Sequence, residues 1–359
     1  MAEGWPAPTP GVVLAINAGS SSLKLTVLDR QQQRLWQEQH SWTGGIGAPG
    51  SPMPPPIDAW LRLQLEPWRP QIERVVHRLV HGGVAYRGAT RLSPAVVADL
   101  TRLIPLAPLH NGAALQLIAW MQAWLDGAPA RPPQWACFDT AFHHTLPAEA
   151  RTYAIPLAWR EAGLQRFGFH GLNHQHVAAT VPVARLISCH LGAGCSLCAI
   201  RDGRSIATTM GFTPLEGLVM ATRSGSLDPG LLLHQLRAGL TTDQLDQALN
   251  HLSGLLGLSG LSGDMRELRA AAAADGHPGA ELAIAVFRHQ LLQGIGAMAA
   301  SLGGVDAIAL SGGIGEHDGA LLEELRQALA WLPPFELVQV AADEEGQMAR
   351  ECLAAEPGR

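Results

Sequence analysis

Two apolar runs, residues 12–16 and 23–28, flank the polar stretch Asn17-Ala18-Gly19-Ser20-Ser21-Ser22, and Lys24 lies inside the second run. Two such runs around a Gly/Ser turn predict a β-hairpin. A second hairpin is expected from the runs 186–191 and 197–200 around Gly192-Ala193-Gly194-Cys195-Ser196. Residues 72–76, 135–138, 305–310 and 337–340 read as further strands. Helical spacing appears at 94–103, 111–125, 227–238, 242–251, 279–302, 321–331 and from about Asp343. The 111–125 segment carries an apolar face of Leu115, Leu117, Ile118, Met121 and Trp124. Residues 1–11 read as a loose leader, 42–56 as a Gly/Pro-rich loop and 311–317 as a glycine-rich turn. Ser22-Leu23 can be laid on Ser196-Leu197, so the two hairpins suggest a duplicated domain.

Composition narrows the class. A chain of 359 residues is long for one core, and about two domains are expected, with a break around 147–152. Hydrophobic content of 47% against 16% charged is that of a well-buried globular protein. A net charge of −6 points to no nucleic-acid and no acidic-membrane partner. Five cysteines, an odd number without a C-x-x-C pair, fit a reducing, cytoplasmic setting. The N-terminus has neither the basic nor the apolar region of a signal peptide, and no apolar run has the length of a membrane span.

Candidate chemistry gathers at turns. The Asn17–Ser22 turn is either a plain polar hairpin or a phosphate-receiving surface of backbone N–H groups, hydroxyls and the Lys24 ammonium. It is not a Walker loop, because it feeds a strand. Arg78 and Arg223 each follow an apolar run and precede a tight turn, where a guanidinium can bind carboxylate or phosphoryl oxygens in bidentate fashion. Asp139 ends a strand and either orients a metal or attacking group or caps the next segment. His170, between Gly168 and Gly171, is either packed or a donor to developing charge. The pairs His143-His144 and His174/His176 lack the cysteines and third ligand of a structural zinc site. Ser311-Gly312-Gly313-Ile314-Gly315-Glu316 lets backbone approach a flat or phosphorylated ligand, although it is not a dinucleotide fingerprint.

Taken together, these residues resemble the acetate kinase family, within the superfamily of acetate and sugar kinases, heat-shock chaperones and actin. The resemblance rests on NAGSSSLK (17–24), HRLVHGG (77–83), APLHN (107–111), FDTAFHHTLP (138–147), YAIP (153–156) and RFGFHGLNH (166–174). It continues through CHLGAGCS (189–196), MGFTPLEGLVMATRSGSLDPG (210–230), SGDMRE (262–267), GGIGE (312–316) and EEGQMARE (344–351), in family order over nearly the whole chain. It implies an α/β fold of two duplicated ribonuclease-H-like (actin-like ATPase) domains with a catalytic cleft between them. The domains would be 1–148 plus about 343–359, and 149–342 with the nucleotide site and a dimer interface. The implied reaction is reversible, direct in-line transfer of the ATP γ-phosphoryl group to acetate or another short carboxylate, with Mg²⁺ or Mn²⁺, usually in a homodimer.

Carried over by resemblance, Arg78 and Arg223 hold the carboxylate and the moving phosphoryl group, and His170 with Arg223 stabilises the transition state. Asp139 orients the metal or nucleophile, and Asn17 and Glu344 lie at the metal. Lys24, Ser22, His190, Gly192, Gly194, Asp264, Met265, Arg266, Gly313, Ile314 and His317 serve the nucleotide. Val80, Leu109, Phe169 and Pro214 form the acyl pocket. A carboxylate is ionised at neutral pH and needs no general base; its obstacle is repulsion from the triphosphate, which cations remove.

Departures from the family pattern fall on the nucleotide side. HLGNG is here HLGAG, so Ala193 removes an amide donor, a loss of about 1–3 kcal/mol to a phosphate. GGIGEN ends in His317, MGTRSG becomes MATRSG at Ala221 (unfavourable if that position needs φ > 0), and a Phe of the SxDxR segment is Met265. The chain is also short between Asp29 and Ile72. Intact chemistry with altered nucleotide use is therefore expected. Propionate or a longer acid as acceptor, another phosphoryl donor, and a non-catalytic nucleotide or acyl-phosphate sensor are the competing readings.

Overall fold

The computed structural model describes residues 11–19, 22–41, 51–126 and 131–355, the side chains of Pro108, Leu109 and Asp275 excepted. The expected leader and most of the expected 42–56 loop lie outside the described residues, as do Ser20 and Ser21. The chain divides into two compact units, Met1–Ala141 with Asp343–Arg359, and Phe142–Ala342. The first division falls ahead of the break expected at 147–152.

In the first unit, β1 (Val12–Ala18), β2 (Ser22–Leu28), β3 (Arg34–Ser41), β4 (Ile72–Leu79), β5 (Thr90–Arg91) and β6 (Gln134–Phe138) form one sheet in the order β3-β2-β1-β4-β6-β5. The first three strands are an antiparallel meander; β4 adds parallel to β1, and β6 parallel to β4. This position explains the unbroken apolar run of β1. The strand has a neighbour on each edge and is buried along its whole length, so neither face has water to satisfy a polar side chain. Val12, Leu14 and Ile16 pack with Leu117, Met121 and Trp124 of helix Pro108–Leu125 and with Ile57, Leu61 and Leu65 of helix Pro55–Leu65. Helix Glu344–Ala354 returns from the far end of the chain to pack on β1, β4 and β6.

The second unit repeats the plan. Here β7 (Arg185–Leu191), β8 (Cys195–Arg201) and β9 (Arg204–Thr208) form the meander, and β10 (Ala307–Ser311) and β11 (Glu336–Gln339) add in parallel beyond β7, in the order β11-β10-β7-β8-β9. Each sheet thus contains a three-strand meander with two parallel strands added beyond its first strand, the duplication read from the paired hairpins; the first sheet alone carries a further antiparallel strand, β5, beside β6. Among the described residues no helix is long and apolar enough to cross a membrane.

Several elements depart from the pattern-based expectation. β3 carries no apolar alternation and is mostly exposed; it exists because its backbone pairs with β2 from Ser22↔Ser41 to Leu28↔Arg34. Helix Pro55–Leu65 begins within the stretch expected to be loop, and Pro55 at its first turn is compatible with a helix start. The glycine-rich turn expected over 311–317 is a helical turn, Gly312–His317. Gly312 is required there: its φ is +77°, and a Cβ would lie 2.7 Å from the Leu191 carbonyl oxygen. Ala221 does not take positive φ, so the strain expected at that substitution is absent. Its N–H instead donates to the Ala193 carbonyl at 3.1 Å and its own carbonyl accepts from Leu256 N–H at 3.0 Å.

The interior holds several histidines. Burial pushes the pKa of His77, His81 and His143 down to about 4, from an ordinary value of 6.5. In the unfolded chain these rings take up a proton near 6.5, so between there and pH 4 the unfolded state binds more protons and stability falls with pH. The melting temperature is therefore expected to drop steadily from pH 7 to about pH 4.5. A flat profile by scanning calorimetry would show that these rings are not buried in the neutral form.

Candidate active site

In the first unit the candidate side chains stand at the carboxyl ends of three neighbouring parallel strands, where open α/β sheets place their ligands. Asn17 is the penultimate residue of β1, Arg78 the penultimate residue of β4, and Asp139 follows β6 directly. Arg78 grips Asp139 with two hydrogen bonds, Nε to Oδ1 at 2.9 Å and Nη2 to Oδ2 at 2.7 Å. Its Nη1 donates to Asn17 Oδ1 at 3.0 Å and lies 2.9 Å from Glu344 Oε2. Asn17 Nδ2 donates to Glu344 at 2.9 Å and to Glu345 at 2.6 Å, and Lys24 Nζ reaches Glu345 at 2.7 Å. Burial alone would lower the guanidinium pKa, but the Asp139 and Glu344 carboxylates more than reverse this and hold Arg78 charged. The two glutamates occupy the first turn of helix Glu344–Ala354, where the backbone N–H groups favour negative charge.

Glu345 is the member of this network that sequence reasoning missed. It is 1% exposed and takes the ammonium that the hairpin was expected to offer to phosphate. Its signal was its place beside Glu344. Val80 is buried just beyond β4; the Leu109 side chain lies outside the described residues. Ser22 opens β2 and accepts the Gly19 N–H through its carbonyl at 2.8 Å.

The donors here suit a hard divalent cation. Glu344, Asp139 and the Asn17 amide present oxygens, the ligand type Mg²⁺ takes, usually through one or two carboxylates. Among the described residues no group of three or more His, Cys, Asp or Glu side chains is arranged to hold a metal alone. Phosphate oxygens and water would complete such a shell.

The second unit holds two connected features. The first centres on Arg223 and His170. His170 has φ +57° and precedes helix Gly171–Thr180; its ring lies 4.3 Å from that of His190. Arg223 donates to the Pro214 carbonyl at 2.7 Å and has no carboxylate partner among the described residues. Burial without such a partner lowers its pKa. Gly194 marks where the two side chains converge: a Cβ there would lie 2.8 Å from Arg223 Nη2 and 3.1 Å from His170 Nε2. Phe169 is buried behind His170 and accepts from His143 Nε2 through its carbonyl at 3.0 Å. His143 also meets Ser205 Oγ at 2.8 Å, His174 lies between the Ser188 and Ser196 hydroxyls, and His176 Nε2 reaches the Ala341 carbonyl at 3.1 Å.

The second feature is a cavity of about 720 Å³ within the size range of small-molecule sites. Gly192 and Ala193 from the β7–β8 turn line it, with Ala221, Asp264, Met265 and Arg266, and Gly313, Ile314 and His317 from the Gly312–His317 turn. Seven residues assigned to nucleotide thus meet in one cavity, while His190 and Gly194 stand beside His170 and Arg223. Asp264 caps helix Met265–Asp275 by accepting from Arg266 N–H at 2.8 Å, and its exposed pairing with the Arg266 side chain lowers its pKa. Arg269 and Asp318, unforeseen in the sequence, pair at 3.1 Å on the cavity wall.

A family model described as the acetokinase family matches residues 59–352. Acetate kinase of Synechococcus sp. (strain JA-2-3B'a(2-13)) is 47% identical over 346 residues, covering 85% of this chain and 84% of that protein. Acetate kinase of Gloeobacter violaceus is 42% identical, covering 89% and 88%. Among solved structures, Porphyromonas gingivalis acetate kinase superposes with a TM-score of 0.84 at 30% identity, over 96% of this chain and 99% of that one. A propionate kinase from Francisella tularensis gives 0.84 at 29% identity, over 95% and 98%.

Proposed function

Because the chain belongs to the acetokinase family and has its duplicated actin-like ATPase fold, we propose that it transfers the γ-phosphoryl group of ATP to acetate. A carboxylate oxygen attacks the γ-phosphorus, the bond to the β,γ-bridging oxygen breaks, and acetyl phosphate and ADP result; the reverse reaction uses the same groups. The observation that carries this reading is Arg223, an enclosed guanidinium beside His170 with no carboxylate partner among the described residues. Such a cation is ready for an anionic group that arrives with the substrate.

In this reading the cavity bordered by Asp264, Met265, Arg266, Gly313, Ile314 and His317 takes the adenosine, and Gly192 brings backbone to the phosphates. Arg223 and His170 meet charge on the transferring phosphoryl group. Arg78, fixed by Asp139, neutralises the acceptor carboxylate; the family resemblance assigns Val80, Leu109, Phe169 and Pro214 to its methyl group. Ser22 and Lys24 act near the phosphates, Lys24 through its pairing with Glu345. Asn17, Glu344 and Asp139 would hold Mg²⁺, which when bound neutralises the β- and γ-phosphate oxygens. The five cysteines are buried thiols outside any disulfide, in keeping with a cytoplasmic setting, and the family resemblance supports a homodimer. Trapping with hydroxylamine tests the activity: purified protein with ATP, Mg²⁺ and acetate, propionate or butyrate should yield acyl hydroxamate. No product from folded protein would overturn the reading.

Ala193 stands exposed on the cavity wall, where its relatives' pattern has an amide. Ala193→Asn is expected to lower KM for ATP by roughly 5–150-fold, the fold-change that about 1–3 kcal/mol of hydrogen bonding to a phosphate corresponds to. An unchanged KM would show that backbone groups already fill that role.

A further inference from the structure

Behind His170 a row of buried side chains runs inward. His170 Nδ1 lies 2.8 Å from Ser196 Oγ, Ser196 Oγ lies 2.9 Å from His174 Nε2, and His174 Nδ1 lies 2.8 Å from Ser188 Oγ. Ser188, Ser196 and His174 are fully buried. Each contact needs one hydrogen, and a neutral imidazole donates at one nitrogen and accepts at the other. The row can therefore be ordered in two directions.

In one direction His170 Nδ1–H donates to Ser196, Ser196 donates to His174 Nε2, and His174 Nδ1–H donates to Ser188. The Ser188 hydroxyl hydrogen then needs an acceptor, and among the described residues Ser188 Oγ has no partner besides His174. That order strands a buried donor. In the other direction Ser188 donates to His174 Nδ1, His174 Nε2–H donates to Ser196, and Ser196 donates to His170 Nδ1. Every hydrogen between members of the row is then used, and an unmade buried hydrogen bond at Ser188 is what the first order costs.

The geometry points to Ser188, His174 and Ser196 as positioning residues that hold His170 as the neutral tautomer with its proton on Nε2. That nitrogen borders the point shared with Arg223 at Gly194. The consequence rests on the phosphoryl-transfer reading: His170 then offers a fixed N–H donor, not a lone pair, to the charge on the transferring group. Groups facing the row favour the same state. Arg223, beside Gly194, opposes a second positive charge on His170, whose other ring neighbour is His190. Burial, with His143 and His190 close by, keeps His174 neutral. Cys198 and Ser205 engage His143, not the row itself.

The test is ¹⁵N NMR of the full chain with labelled histidine, with His170 assigned by loss of its signals in His170→Gln. In the free protein at neutral pH, His170 is expected to show a protonated Nε2 and an unprotonated Nδ1. An Nδ1–H tautomer or an imidazolium overturns the proposal. Ser196→Ala should turn the single tautomer into a mixture and lower kcat about tenfold, as for one lost hydrogen bond, with KM for ATP and acetate within about twofold and Ser196→Thr restoring part of the loss. An unchanged tautomer in folded Ser196→Ala also overturns it. If Ser196→Ala does not fold, the wild-type spectrum alone decides. That spectrum is recorded without substrate, so a protein inactive in the hydroxamate assay but holding the Nε2–H tautomer would fail the functional reading and keep the positioning one.

Discussion

Arg223→Ala is expected to lower kcat by roughly 10²–10³-fold while leaving KM for ATP and the melting temperature almost unchanged. The stability half follows from what Arg223 touches. Its hydrogen bond is to the Pro214 carbonyl, and no described carboxylate is left behind when it goes. Removing an enclosed, unpaired charge relieves the burial cost that lowers its pKa. The kinetic half follows from its position. The Nη2 group and His170 Nε2 border the same small volume at Gly194, outside the cavity lining of Asp264, Met265 and Ile314. An interaction made with the moving phosphoryl group and not with adenosine affects kcat more than nucleotide KM. A near-normal kcat would remove Arg223 from this role. A large rise in ATP KM would instead place it on the ground-state nucleotide.

Much of the architecture was legible because it is written in local apolar pattern. β1, β4, β6, β7, β8 and β10 sit inside their sheets, so their apolar residues run together, and the long helix Pro278–Leu302 is apolar over most of its length. What escaped notice is held by partners distant in sequence. β3 is polar and is made by its register with β2. Helix Pro55–Leu65 follows directly on a Gly/Pro-rich stretch. Among the proposed functional residues, Arg78 and Asp139 in the first unit and His170 and Arg223 in the second stood out in the sequence through residue type at turns. Glu345 and the row of Ser188, His174 and Ser196 did not, because a buried Glu or Ser gains its meaning only from what it faces. Lys24 shows the converse. Its place beside a Gly/Ser turn suggested phosphate, whereas in the fold its ammonium is paired with Glu345, more than 300 residues away in the chain.

Arg78→Ala is expected to destabilise the first unit by about 3–5 kcal/mol, because it removes the cation from the centre of a buried ionic network. Arg78 has 13% of its side chain exposed, and its partners Asp139 and Glu344 have 2% and 13%. Without it, Asp139 loses a bidentate partner, Asn17 Oδ1 loses a donor, and Lys24 alone of the named cations faces three carboxylates. The contrast with Arg223→Ala is the informative point: two arginines with similar catalytic assignments should separate by melting temperature, one falling clearly and the other hardly moving. Adding Asp139→Asn to Arg78→Ala should recover part of the loss, since the carboxylate of the bidentate pair is then neutral, and with the Asp139→Asn single variant the cycle gives the coupling energy of the pair. Both forms should be inactive under the assignments above, so the comparison is read by calorimetry. If Arg78→Ala melts with the wild type, the network is not what holds the three strand ends together, and the placement of Asp139 must come from the backbone of β6 alone.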